Sequence, residues 1–386
     1  MMDNNLPYWM ALAHANDFST RRKMEFLIMS VHDKYSIREA ISRIKARERL
    51  GFNFTPKEWA GLQEAVDELP NYSFIAESIG EQGIHTINIL DRYVYPKTLR
   101  ENLKKQAPLL IYAKGNMDLI KKDSVAIVGA RNSKPVSLEF TDNVARKAVK
   151  DGHVVVSGFA KGVDRKALES ALDHKGRSII VLPQGIETYT SKTYYREIVR
   201  GDILVISVYH PKAPWSVGLA MDRNKIIYGL AHHIYAAESN ASGGTWEGVL
   251  DGLKRGRKVY VRQPGKDEKN ANALLIRKGA IPVDIHGNEL RRETADLFQE
   301  PGKQYKASEE QPEKEGDLLG SLIEKLKETG ERGMTLQEIV EYLKPEEIQS
   351  RRLTSLLNRS PYFRKEKRGR YNYYVLNRSY GEGTLF

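Results

Sequence analysis

From about residue 123 the chain repeats one texture: a short apolar, β-branched run, a glycine, then a stretch with helical spacing. VAIVGA is followed by LEFTDNVARKAVKDG, HVVVSG by a segment ending ALESALDHKG, and RSIIVLPQG, DILVIS, HHIYAAES and KVYVR continue the series. Antiparallel neighbours can be joined by tight turns, but strands joined through helices pair in parallel. A parallel sheet needs helices on both faces to cover it. Residues 123–285 are therefore read as one doubly wound α/β domain, with residues 95–122 leading into it.

The flanks differ. The first 90 residues are helical in pattern: REAISRIKARERL and TPKEWAGLQEAVDEL place apolar residues three and four apart. Thr55-Pro56 is an N-cap followed by Pro at the first helical position. PGKQYKASEEQPEKE is polar, with two prolines and no apolar period, which reads as a linker. Beyond it, LLGSLIEKLKETG, MTLQEIVEYL and IQSRRLTSLLNRSPY precede FRKEKRGRYNYYVL, the pattern of three helices and a basic hairpin found in winged helices. Four regions result: a helical domain over 1–90, the core over 91–297, a linker over 298–315 and a winged helix over 316–386. In the last, Arg351, Arg352, Lys367, Arg368 and Arg370 would meet phosphates if the module binds DNA; protein docking is the other use of this fold.

Composition narrows the chemistry. The 386 residues contain no cysteine, which excludes disulfides, thiolate metal sites and a Cys nucleophile. Lys and Arg number 61 against 50 Asp and Glu, a net charge of +11. Residues 91–297 hold 35 basic and 23 acidic groups, a net of +12, while residues 1–90 hold 10 and 12. A polyanionic partner is the natural inference, with the excess in the α/β region. No apolar run reaches the roughly 20 residues of a membrane helix. The N-terminus lacks a basic stretch ahead of an apolar one, so a cytoplasmic protein with no membrane association is expected. There is no GxGxxG, GxSxG or HExxH, and no metal or cofactor is expected. His232 and His233 are adjacent in a strand and point apart, so they share no metal.

Four segments could carry chemistry. In VAIVGARNS, Gly129 permits close backbone approach at a strand end, and Arg131 could clamp a phosphate. In VVVSGFAKGVD, Ser157, Gly158, Lys161, Gly162 and Asp164 occupy a strand-to-helix loop at the ligand end of a parallel sheet; Asp164 could instead be a helix cap. In MDRNKIIYGL, Arg223, Asn224 and Lys225 open a helix, as a phosphate site or as a solvated first turn. In AAESNASGGTWEG, Glu238 ends a strand, Ser242, Gly243, Gly244 and Thr245 form a phosphate-sized cradle, and Glu247 follows. Glu247 is either a general acid or base or a complement to the helix dipole. Lys192 adds a further loop cation, and Tyr194, Tyr195 and Trp246 are candidate stacking platforms.

The order and spacing of YPKTLRENL, PLLIYAKG, VAIVGAR, VVSGFAKGVD, IIVLPQGIE, DRNKIIYGL, the ES and SGGT pair, GRKVYV and LIRKGA resemble the DNA-processing protein A (DprA/Smf) family across residues 90–283. The resemblance implies a Rossmann-like core between a helical SAM-like domain and a winged helix. It implies a protein that binds single-stranded DNA, protects it, loads a RecA-type recombinase in natural transformation and recombination, and acts as a homodimer through that core, with no established reaction. The family's motifs fall on Gly129 and Arg131; on Ser157, Gly158, Ala160, Gly162 and Asp164; on Arg223, Asn224 and Ile227; and on Glu238, Ser242 and Gly243. Lys225, Val136-Ser137, Leu168, Thr190-Ser191 and Val208 depart from them. SGGTWE also resembles the phosphate motif of the lonely-guy phosphoribohydrolases, which implies the alternative of a nucleotide sensor or nucleoside-monophosphate hydrolase using Glu247 and Arg223.

Overall fold

The alternation of strands and helices closes into a single sheet. The computed structural model describes residues 4–290, 322–329, 332–343, 357, 363–368 and 371–376. The chain divides into two units, Met1–Gln299 and Glu300–Phe386.

The first unit begins with five helices: α1 (Leu6–His14), α2 (Thr20–His32), α3 (Ile37–Lys45), α4 (Pro56–Asp67) and α5 (Leu69–Glu81). Capping boxes start two of them. Ser36 pairs reciprocally with Glu39, and Thr55 with Glu58, with Pro56 in the first turn as its sequence position predicts. Phe18, Phe26, Phe52 and Phe54 pack edge to face or tilted among themselves, with centroids 4.7–6.4 Å apart.

The strands and helices that follow are β1 (His85–Asn88), α6 (Lys97–Leu103), β2 (Leu110–Gly115), β3 (Ser124–Val128), α7 (Pro135–Lys150), β4 (Val154–Ser157), α8 (Val163–Asp173), β5 (Ser178–Val181), α9 (Tyr195–Arg200), β6 (Ile203–Ser207), α10 (Val217–Asp222), α11 (Asn224–Leu230), β7 (His233–Ala236), α12 (Gly244–Lys254), β8 (Val259–Arg262), α13 (Asn272–Arg277) and β9 (Ile281–Val283). Among the described residues, nine strands form one sheet in the order β1-β2-β6-β5-β4-β3-β7-β8-β9. From β6 to β9 all pairings are parallel, and β1 and β2 add an antiparallel edge. The mixed α/β class with a doubly wound sheet is as the sequence predicts; the antiparallel edge is not in that reading.

The two-residue period of the strands sorts the core. Val125 and Ile127 of β3 face Phe140 and Val144 of α7 and Val163 and Ala167 of α8. Ala126 and Val128 face the other way, into the cluster holding Ile226 and Ile227 of α11 and the N-terminal helices. Leu168, a departure from the family pattern, is wholly buried in that second cluster.

In the second unit, residues 322–329 are helical, and β10 (Met334–Thr335), α14 (Leu336–Leu343), β11 (Phe363–Arg368) and β12 (Tyr371–Leu376) follow. The strands pair antiparallel in the order β10-β12-β11. Leu322, Leu326, Ile339, Leu357 and Phe363 share a small core. The linker over 298–315, and Arg351, Arg352 and Arg370, lie outside the described residues.

Candidate nucleic-acid interface

The chain leaves β3 toward β4, β5 and β6 on one side, then crosses to β7 and β8 on the other. Loops after β3 and β7 therefore diverge at the carboxyl ends of the strands, the place where open α/β sheets form a crevice. Two cavities meet there. One, of about 430 Å³, is lined by Gly129, Arg131, Asp164, Asn224 and the Ser242–Thr245 turn. The other, of about 420 Å³, is lined by Gly158, Lys161, Tyr189, Trp215 and part of the loop after β4. They share Arg131, Ala160, Ala220 and Arg223, so they are the two lobes of one groove.

Arg223, at the junction of α10 and α11, is the wall between the lobes. It is only 3% exposed. Its Nη1 donates to the Val181 carbonyl at 3.1 Å and lies 3.9 Å from the Asp164 carboxylate. Its buried Nε has no hydrogen-bond partner among the described residues. Burial pushes the Arg223 guanidinium below its ordinary range, against the pull of Asp164. Burial likewise raises Asp164, against the pull of Arg223 and of backbone N–H groups of Gly158 and Ala160. Asp164 is thus no helix cap: it closes its own loop beneath the groove. Gly162, at φ 88°, brings that loop against the carbonyls of Ala130 and Arg131, where a Cβ would overlap backbone.

The two lobes differ chemically. The first is small-residue and polar: the Ser242-Gly243-Gly244-Thr245 turn opens α12 at its N-terminus, beside Asn224. Such a turn presents backbone N–H groups to an anion. The second is aromatic: Phe159, Tyr189 and the half-exposed Trp215 line it with Lys161 and Arg131 at the side.

Several residues expected at the site lie elsewhere. Ser157 is buried, and its hydroxyl donates to the Asp164 carbonyl. Glu238 is buried beneath the N-terminus of α7, where its Oε2 accepts from the Ser137 hydroxyl at 2.7 Å and the Lys134 N–H at 3.1 Å. Ser137 also accepts from Arg262, so this departure from the family pattern is built into a buried network. Lys225 turns away from the groove and pairs with Asp222 at 2.6 Å. Lys192 is exposed on the 3-10 turn Ser191–Tyr194, next to lining residues but not among them. Glu247 is exposed in the first turn of α12, directly after the cradle, and lines neither lobe. Tyr194 packs on Phe159, Trp246 packs on the core, and Tyr195 lines neither lobe.

Trp215, Val217 and Met221, all substantially exposed at the groove, are absent from the sequence reading. The signal available was APWSV: a Pro-Trp pair in a loop just ahead of the DRNK segment.

Comparison with known proteins agrees with this architecture. The DNA processing protein DprA of Streptococcus pneumoniae is 32% identical over 183 residues, which is 47% of this chain and 63% of that protein. The chain thus matches less than two thirds of that relative's length. The Bacillus subtilis protein of the same name is 26% identical over 210 residues, 52% of this chain and 68% of the relative. The S. pneumoniae crystal structure superposes with a TM-score of 0.60 at 23% identity, covering 76% of this chain and 98% of that one, a likeness of fold. The family model of DNA recombination-mediator protein A matches residues 86–293, more than half the sequence and the whole of the groove, and the chain belongs to that DprA/Smf family.

Proposed function

We propose that the two-lobed groove binds single-stranded DNA, and that the protein protects the strand and passes it to a RecA-type recombinase. The observation that carries this reading is the adjacency of a phosphate-sized polar lobe and an aromatic lobe around Arg131. Single-strand binders combine a cationic track with stacking surfaces that accept any base. A duplex keeps its bases stacked inside, so the aromatic lobe favours an unpaired strand. Relatives named as DNA processing proteins support the same class of ligand. Hand-over to the recombinase, a homodimer through the α/β core, and the partition into 1–90, 91–297, 298–315 and a winged helix at 316–386 belong to this proposal and rest on the family.

Fluorescence anisotropy with oligo-dT, duplex DNA and RNA tests it. Oligo-dT binds most tightly, and Arg131→Ala weakens that binding selectively. Equal affinity for duplex, or no effect of Arg131→Ala, overturns the assignment of the groove. Recombinase filament growth on oligo-dT, with and without the protein, tests the hand-over separately.

A further inference from the structure

A third cavity, of about 320 Å³, lies on the far side of α10–α11 from the groove, where α1 and α2 meet the start of β2. Lys23 and Lys225 both line it, with His14, His210, Tyr209 and Asp222. Its acid is already engaged. Asp222 Oδ1 holds Lys225 at 2.6 Å, and Oδ2 accepts from the Tyr209 hydroxyl at 3.1 Å.

Lys23 is the unbalanced member. It is 7% exposed and donates to the Ala13 carbonyl at 2.7 Å. Among the described residues no carboxylate lies within ion-pairing distance of it. An ammonium has three donors, and burying one without a counter-charge is costly. Burial lowers Lys23 to about 8, so it remains largely charged at neutral pH. His210 adds a neutral donor: its Nδ1 accepts from the Lys212 N–H at 3.2 Å, which leaves the proton on Nε2. Pro108, Leu109, Val208 and Ile226 form apolar walls. The space exceeds a single phosphate and falls at the small end of ligand pockets, roughly 300–1,000 Å³.

We propose that this cavity binds a small phosphate-class anion, with Lys23 as its buried counter-charge and Lys225 and His210 as additional donors. The anion is inorganic phosphate or the phosphate of a mononucleotide; both present the same oxygens to Lys23. The site is separate from the groove, and its existence does not depend on what the groove binds.

Thermal unfolding of the full chain tests it, at constant ionic strength, with chloride exchanged for inorganic phosphate or for deoxythymidine monophosphate. The Arg131→Ala protein is the reference: it weakens the groove, and whatever the groove still contributes is the same with and without Lys23. In that background phosphate or the monophosphate raises Tm, and Lys23→Met weakens the apparent affinity about tenfold or more, the loss expected for one charge-assisted contact. Met matches the length of the lysine stem and removes the buried charge, which keeps the packing of the stem. Lys225→Met gives a smaller loss and decides the matter should Lys23→Met not fold. A shift with inorganic phosphate identifies that anion as sufficient; a shift with the monophosphate alone identifies the nucleotide. No shift, or one of equal size in Lys23→Met, overturns the site. If Lys23→Met does not fold, an undiminished shift in Lys225→Met does the same.

Discussion

Gly158→Ala probes the wall between the lobes. A Cβ at Gly158 would overlap the Arg223 guanidinium. The end of a long side chain usually yields cheaply, but this one is pinned: it donates to Val181 and sits beside Asp164. The lobes that the guanidinium already lines leave it room when it is displaced. The forfeited term is then mainly one charge-assisted hydrogen bond, about 1.5–3 kcal/mol. Against it stands the entropy gain of replacing Gly in the unfolded chain, about 0.4–1 kcal/mol, available because Gly158 is outside the left-handed region. The expected net loss is about 1–2 kcal/mol. Urea unfolding followed by circular dichroism measures it for wild type, Gly158→Ala, Arg223→Ala and the double variant. With the guanidinium removed, the three atoms nearest the added methyl are gone and its cost falls away, a coupling of about 2 kcal/mol, within the range contacting residues show. Additive losses in the two single variants would refute the claim that Gly158 exists to seat Arg223.

Other consequences are simpler to read. Trp215→Ala, at a half-exposed position, costs about 1–3 kcal/mol in oligo-dT affinity if a base stacks there, measured by anisotropy, with unchanged thermal stability. Glu238→Ala removes the acceptor for Ser137 and Lys134 and destabilises the first unit by about 1.5–3 kcal/mol in urea unfolding. Burial, with His210 and Lys23 nearby, holds His14 well below its ordinary 6.5. The unfolded chain then takes up that proton first, so stability present above about pH 6.5 falls as the solution is acidified below it. His14→Gln keeps a partner for the Tyr112 hydroxyl and flattens this part of the pH–stability curve; an unchanged curve assigns the acid loss to other groups.

What was legible in the sequence was periodic or local. Gly-bounded apolar runs gave the parallel strands, and Thr55-Pro56 gave a helix start to the residue. What escaped was contact across long separations. Glu238 at a strand end looks ligand-facing until Ser137 and Lys134, about a hundred residues earlier, are seen to cover it. Arg223, Asn224 and Lys225 are consecutive, but each step along a helix turns about 100°. The first two therefore face the groove and the third faces the opposite cavity. Trp215 belongs to no periodic element, so no pattern could place it at the rim.

The charge count has the same weakness, and correcting it gives a measurable number. The core's excess of +12 suggests a strongly basic track. Yet the cations lining the two lobes are Arg131, Lys161 and Arg223, and Arg223 is buried beside Asp164. A strand confined to the groove thus has two or three phosphates neutralised. For single strands the salt slope is about −0.7 per neutralised phosphate, so log affinity against log salt should fall with a slope of roughly −1.4 to −2. The measurement is anisotropy with oligo-dT over a range of chloride concentrations. A much steeper slope would mean that the strand runs past the lobes onto outlying cations. Lys192, next to the aromatic lobe, is the first to test, since Lys192→Ala would then reduce the slope by about one phosphate's worth. A shallow slope that Arg131→Ala makes shallower still would confine binding to the groove, and would mean that most of the core's positive charge steers the strand without touching it.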